Sequence, residues 1–214
     1  EVAAGRFAVA EAGTEMSAQP IQAAVVAAVP EKKIALPELG AALVRENFEN
    51  GRMEGWDGGK VISGGMGGSR FAIQSDGQPD TVFGTGVYFS AVRLPIARLP
   101  GGTRQNQTIF QYQAGLAIRF AYYIEGDVAQ LRVQGFNTDQ DDNFGFTVES
   151  PVRGTWTEIQ LRISDFEHND PNRRNEKLRA GDHFKSLTFY AGTRDSKVKV
   201  FRIDDVIIAP ELSK

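Results

Sequence analysis

The chain has 214 residues, of which 41% are hydrophobic and 24% charged, and its formal net charge is −3. That is the balance of a globular protein with a sizeable core, and its acidic sign argues against nucleic acid as a partner. With no cysteine and only two histidines, His168 and His183, disulfides, thiolate catalysis, zinc–thiolate sites and a histidine-rich metal centre are excluded.

Residues 1–43 differ in character from the rest. They are rich in Ala and Val, with Pro20, Pro30 and Pro37 as punctuation. Val2 to Val9 reads as a short strand pair around Gly5. Ile21 to Ala28 is an apolar run that periodicity assigns equally to a short helix or a buried strand. Pro30-Glu31-Lys32-Lys33 reads as a linker, and Pro37-Glu38-Leu39-Gly40 is expected to open one helical turn with proline at its first position. No apolar run approaches the roughly 18 residues of a membrane span. No charged start with an apolar stretch and a small-residue cleavage site is present, so any export signal or anchor is expected outside this stretch, with no direct membrane insertion.

From residue 44 to 210 the pattern is β. Short apolar or alternating runs stand between Gly, Asn and Asp clusters at sandwich spacing. They fall at residues 70–73, 82–92, 108–112, 116–124, 128–136, 144–148, 156–163, 186–190 and 198–208. No long amphipathic helix intervenes, as parallel α/β folds require. The fold class is therefore all-β, an antiparallel sandwich, with residues 211–214 as a tail. Leu116, Ile118, Phe120, Tyr122 and Ile124 share one face of their strand, and Ala117, Arg119, Ala121 and Tyr123 the other. Ala129, Leu131 and Val133 alternate with Gln130, Arg132 and Gln134, and Ile159, Leu161 and Ile163 alternate with Glu158, Gln160 and Arg162.

Several phrases resemble carbohydrate-binding modules with the galactose-binding-like jelly-roll fold. Asn47-Phe48-Glu49-Asn50-Gly51 followed by Gly55-Trp56 is similar to their opening strand, and Gly67 to Ile73 to their glycine-led second strand. Gly154 to Leu161 with Ser164-Asp165-Phe166, and the closing Phe201 to Ile208 with Asp204-Asp205, complete the order. The match covers residues 44 to 209. The same order is similar to the assembly-factor domain of the complex I intermediate-associated type. Val2 to Val9 resembles the end of a FecR-like periplasmic domain. The resemblance implies a jelly roll in an extracellular, periplasmic or cell-surface setting, with a polysaccharide or other glycan as partner. It also implies a structural calcium ion held by Glu49, backbone oxygens around Gly68 and Ser69, and Asp205 or Asp204. Calcium accepts carboxylates and carbonyls together.

Sugar recognition needs an exposed aromatic face with planar polar groups beside it. Tyr123 shares its strand face with Arg119; Arg132 and Gln134 lie on the polar face of the next strand, and Glu158, Gln160 and Arg162 on a third. If these three strands share a sheet, they form one groove. Tyr112 and Phe136 are further candidates, and Trp56, in a Gly-rich loop, is placed to reach a rim. Alternating polar residues also describe a plain solvated face.

Signs of catalysis are weak. Gly64 to Ser69 lacks the lysine of a phosphate loop, there is no G-x-S-x-G elbow, and Asp139, Asp141 and Asp142 lack the glycine and terminal Glu of an EF-hand. Glu149 and Glu158 fall in neighbouring strand regions, where glycoside cleavage would need two carboxyl groups about 5–9.5 Å apart. The expected function is therefore a non-catalytic carbohydrate-binding module of a larger protein. The alternatives are a protein-interaction or assembly module of the same fold, and a polysaccharide lyase or hydrolase.

Overall fold

The alternation along residues 116–124 is realised as a buried inner face. Leu116, Ile118, Phe120, Tyr122 and Ile124 are all at most 2% exposed. The structure is a computed structural model and describes residues 35–78, 83–90 and 108–212. The expectations for residues 1–34 lie outside the described residues.

In chain order the described strands are β1 (Val44–Glu46), β2 (Trp56–Asp57), β3 (Gly59–Ser63), β4 (Phe71–Ser75), β5 (Phe83–Ser90), β6 (Phe110–Gln111) and β7 (Leu116–Asp127). They continue with β8 (Gln130–Asn137), β9 (Asp142–Glu149), β10 (Thr157–Arg162), β11 (Glu167–His168), β12 (His183–Thr193) and β13 (Lys197–Pro210). Among the described residues, the only helical pieces between them are short 3-10 turns, at Met66–Gly68, Ile163–Asp165 and Pro171–Arg173.

Two antiparallel sheets result. The first runs β10-β7-β13-β4-β3, with β1 also on β13; the second runs β11-β9-β8-β12-β5-β2, with β6 also on β12. Their inner faces meet through Phe120 of β7 and Phe189 of β12, with ring centroids 4.9 Å apart, edge to face, a favoured geometry for buried aromatics. First and last strands lie side by side, with Val44 opposite Ile208 and Glu46 opposite Val206. Phe48 and Val206 belong to the same core.

Trp56 does not reach a rim. It is 5% exposed, stacks on Phe189 at 5.9 Å and receives the edge of Phe48 at 5.2 Å. The pairing of β2 with β5 turns its side chain inward. Tyr112 is likewise buried in the core. Residues 37–40 form no helical turn. Leu39 bridges Glu211, and Gly40 N–H donates to the Pro210 carbonyl at 2.8 Å, because the end of β13 offers backbone partners that a lone turn would forgo. The chain thus joins the sandwich before residue 44, and Glu211 is part of it.

Tyr122 is a buried aromatic with a polar handle. Its hydroxyl accepts from Val152 N–H at 3.1 Å, and burial pushes the phenol up from its ordinary value. Tyr122→Phe keeps the ring and loses that bond. It is expected to cost about 1 kcal/mol, read as a lower urea midpoint with an unchanged slope.

Candidate functional site

The outer face of the second sheet carries one continuous polar row. Register places Gly86 opposite Tyr190, Tyr190 opposite Arg132, and Arg132 opposite Thr147. The next row has Thr188 opposite Gln134 opposite Gly145, with Glu167 beside it on β11. The floor is low because its residues are small. A Cβ on Gly86 would come within 2.7 Å of the Tyr190 ring, and one on Gly145 within 2.7 Å of Arg132 Nη2. The Tyr190 ring therefore leans over the backbone of β5, and the Arg132 guanidinium over that of β9, each filling space a side chain would take.

Arg132 is the hub. Its Nε donates to Gln134 Oε1 at 3.2 Å, its Nη1 to Thr147 Oγ1 at 2.8 Å, and its Nη2 to Asn169 Oδ1. Asn169 Nδ2 donates to Gln134 Oε1 at 2.9 Å, closing the ring of contacts. Burial pulls the guanidinium down from its ordinary value, and Arg174 nearby acts in the same direction. Around this hub lies a cleft of about 690 Å³, lined by Arg132, Gly145, Thr147, Asp165, Glu167 and Asn169 among others. That size suits a small-molecule ligand. Its amides and carboxylates can pair with hydroxyls in both senses, amide N–H as donor and carboxylate oxygen as acceptor. Further along β8, Phe136 carries Lys185 Nζ 4.0 Å over its ring.

The sequence candidates divide between two faces. Arg132 lines this cleft, and Gln134 is bonded to Arg132 and Asn169 beside it. Arg119, Tyr123, Glu158, Gln160 and Arg162 stand on the first sheet, where β10 pairs with β7. Among the described residues β8 pairs only with β9 and β12, so the three strands share no sheet and the single groove that would unite them does not form. Gly126 and Asp127 make no turn: they still pair with β13 at the end of β7, and Val128-Ala129 carries the chain across the sandwich to β8 in the other sheet. On the first sheet, Arg119 donates to Gln160 Oε1 at 2.9 and 2.7 Å and to the Pro37 carbonyl. Gln160 and Arg162 both donate to Glu211, at 2.7 and 2.8 Å. These groups fasten the two end segments to the sheet. Tyr123 is flanked by Trp156 at 5.8 Å, carries Arg202 at 5.4 Å and donates to Glu125 at 2.6 Å. Glu149 pairs with Gln130 in the second sheet and Glu158 with Ala121 in the first, so these two carboxylates do not form a pair.

Tyr190, Thr147 and Asn169 were not singled out in the sequence. For Tyr190 the signal is present: Ser186, Thr188 and Tyr190 alternate with Leu187, Phe189 and Ala191, and the strand period puts them on one polar face. Asn169 stands in a polar loop phrase, and only the tertiary fold brings it to Arg132.

A second polar cluster sits beside β13. On one edge of that strand β1 covers residues 206–208 and β4 covers 202–203. Between them Asp204 meets the glycine loop. Asp204 Oδ2 accepts from Met66 N–H at 3.1 Å and Oδ1 from Asp205 N–H at 2.8 Å. Asp204 is 0% exposed, and burial pushes its carboxyl up to about 6, partly opposed by those N–H groups and the Ser69 hydroxyl. Ser69 Oγ also donates to Glu49 Oε1 at 2.6 Å. Glu49 is held down at about 2 by the bonds from Ser69 and Arg70. Asp205 sits at φ 47° in the bulge of β13, with Arg45 and Glu49 acting on it. Asp204, not Asp205, is thus the carboxylate aimed at the loop. Gly67 and Gly68 take positive φ to shape that loop. No group of three acidic or histidine side chains suited to a metal occurs among the described residues. The donor set still fits a hard cation: a buried carboxylate on which no cationic side chain acts, a hydroxyl and a second carboxylate.

No family model matches the chain, and no curated protein matches it in sequence. Solved structures do match. The CBM22-1 xylan-binding domain of Paenibacillus barcinonensis Xyn10C is 13% identical, with 84% of this chain and 100% of that one covered and a TM-score of 0.48. The family 11 carbohydrate-binding module of Clostridium thermocellum, solved with a β-1,3-1,4-mixed-linked tetrasaccharide, is 18% identical over 75% of this chain and 87% of that one, with a TM-score of 0.47. An exo-β-agarase is 13% identical over 81% of this chain and 26% of its own, with a TM-score of 0.50. At these identities the likeness, as to the exo-β-agarase structure, is one of fold alone, and the fold of this chain is a two-sheet antiparallel β-sandwich.

Proposed function

We propose that the chain is a non-catalytic carbohydrate-binding module of a larger extracellular or surface protein, and that its glycan lies on the outer face of the second sheet. The observation that carries this reading is the cleft around Arg132, whose guanidinium holds the side chains of Gln134 and Asn169, with the outward Tyr190 opposite Arg132 on the next strand. Tyr190 supplies an apolar body with a polar tip, suited to the apolar face of a pyranose ring. Gln134, Asn169 and Thr147 supply hydroxyl partners already fixed by their bonds to Arg132, so little ordering is needed on binding. Affinity electrophoresis through gels containing glucans, mannans, galactans, xylans or uronans tests the reading. Retardation by one of them is expected, and free migration through all of them overturns it.

The first sheet provides the internal control. Arg119→Ala removes a group that fastens the segment around Pro37 and leaves the cleft untouched. Retardation is expected to stay within about twofold of the parent, because sites this far apart without shared partners act independently. A loss of retardation as large as that of a cleft variant would move the site to the first sheet.

A structural calcium ion at Asp204, Ser69 and Glu49 is part of the same proposal. It would tie the glycine loop to the last strand, on the far side of the core from the glycan.

A further inference from the structure

Among the residues lining the cleft is a buried histidine the binding reading does not use. His168 is 2% exposed and stands edge-on to Phe144 at 4.9 Å. Its Nδ1 accepts from Asp170 N–H at 3.1 Å. That bond fixes the neutral tautomer with the proton on Nε2, and Nε2 makes no hydrogen bond although it is buried. The nearest charge is Asp142, with Oδ2 3.4 Å from Nε2. Arg173 stands 3.7 Å from the same Asp142 oxygen and is itself held by Glu176 through two contacts of 2.8 and 2.9 Å. Glu167 precedes His168 on its own strand.

Asn169 lies between His168 and Asp170. Its side chain accepts from Arg132 and donates to Gln134, while its N–H is pinned to the Asn143 carbonyl at 2.9 Å. Asp170 then starts the next turn, with Oδ1 accepting from Asn172 N–H at 2.8 Å. The imidazole therefore sets the turn from which Asn169 reaches into the cleft. A second proton on this ring can arrive only at Nδ1, where it would confront the Asp170 N–H, donor against donor. The imidazolium would meanwhile be drawn toward Asp142.

We propose that His168 is a positioning residue for the cleft: neutral, it holds the Asn169–Asp170 turn in place, and protonated at Nδ1 it releases Asn169 from Arg132 and Gln134, so that ligand is held more weakly in acid. The consequence for ligand rests on the glycan reading given above. The coupling between His168 and Asn169 does not.

The test uses NMR of the ligand-free chain from pH 8 to pH 5, following the His168 ring and the Asn169 side-chain amide, with glycan affinity measured over the same range. The Asn169 amide is expected to shift in step with the ring, and affinity to fall about fivefold, the worth of one hydrogen bond. His168→Asn places an amide oxygen near the position of Nδ1 and cannot titrate. It should abolish the pH dependence of the Asn169 amide while keeping the affinity seen at pH 8, a rescue that a merely space-filling histidine would not show. Asp204 titrates on the other sheet and is common to both proteins, so the difference between them isolates His168. An Asn169 amide that ignores the His168 titration overturns the proposal, and the wild-type spectra alone decide this if the variant fails to fold. An amide that follows the ring in a chain binding no glycan at any pH upholds the coupling and overturns the glycan reading instead.

Discussion

Replacing Arg132 with alanine is expected to lower glycan affinity by about thirtyfold or more, the scale of a central anchor in a desolvated site. The size follows from what the guanidinium organises. It bonds Gln134, Thr147 and Asn169 at once, and its loss leaves those three side chains free to choose other rotamers. Binding must then supply the ordering that Arg132 now provides. Arg132→Lys is instructive beside it. Lysine keeps the charge but offers a single point of donation in place of a planar fork, so it should recover little of the loss. The measurement is affinity electrophoresis or calorimetry on whichever glycan the parent retains. The thermal midpoint serves as a check that the fold survives. An Arg132→Ala chain that binds as tightly as its parent would remove the cleft from consideration.

The fold was legible in the sequence because it is written at short range. The period-2 pattern of Leu116 to Ile124 and of Ala129 to Gln134 states which side chains turn inward, and the members of those inward sets are buried except Ala129, which precedes β8 and is exposed. The closing strand was recognisable from its Ile203-Asp204-Asp205-Val206 phrase, and it does lie beside the opening one. Sheet membership was not legible. Whether β8 pairs with β7 or crosses to the other sheet depends on distant strands competing for its edges, and both arrangements leave the alternation intact. That one ambiguity merged two faces into a single groove. It placed Tyr123 and Arg119 beside Arg132, although they stand on opposite sides of the core. Short strands such as β3, with glycine at its start and a charged Lys60 within it, were missed because five residues carry too little pattern. The role of Trp56 turned on the direction of a two-residue strand, which no local signal sets.

The corner beside β13 was approached by resemblance, which left Asp205 and Asp204 both open. That Asp204 is the one facing the glycine loop has a backbone cause. A bulge interrupts the register between Asp204 and Ile207, so two consecutive residues do not alternate across the sheet as they would in a regular strand. Asp204 turns into the gap between β1 and β4, and Asp205 takes the strained left-handed conformation.

The buried Asp204 carboxylate makes a second large effect measurable without any glycan. Without calcium, the folded chain keeps this proton up to about pH 6, whereas an unfolded chain gives it up near the ordinary aspartate value of about 4. The folded state thus binds more protons across that window. Stability is fully present below about pH 4, falls as pH rises toward 6, and levels off above it. The accumulated loss is about 3 kcal/mol at roughly 1.4 kcal/mol per unit, several degrees in the thermal midpoint for a chain of this length. Calcium reverses the sign. A cation beside Asp204 favours the ionised form, so millimolar calcium should raise the midpoint at pH 7.5 and do nothing at pH 4, where protons hold the carboxylate. Asp204→Asn should remove the calcium response and this acid-side slope together. Melting curves from pH 4 to pH 7.5, in chelator and in calcium, separate the two claims. A flat profile in chelator would place Asp204 in water rather than in the core. A sloping profile that calcium leaves unchanged would leave the buried charge real and the cation site wrong.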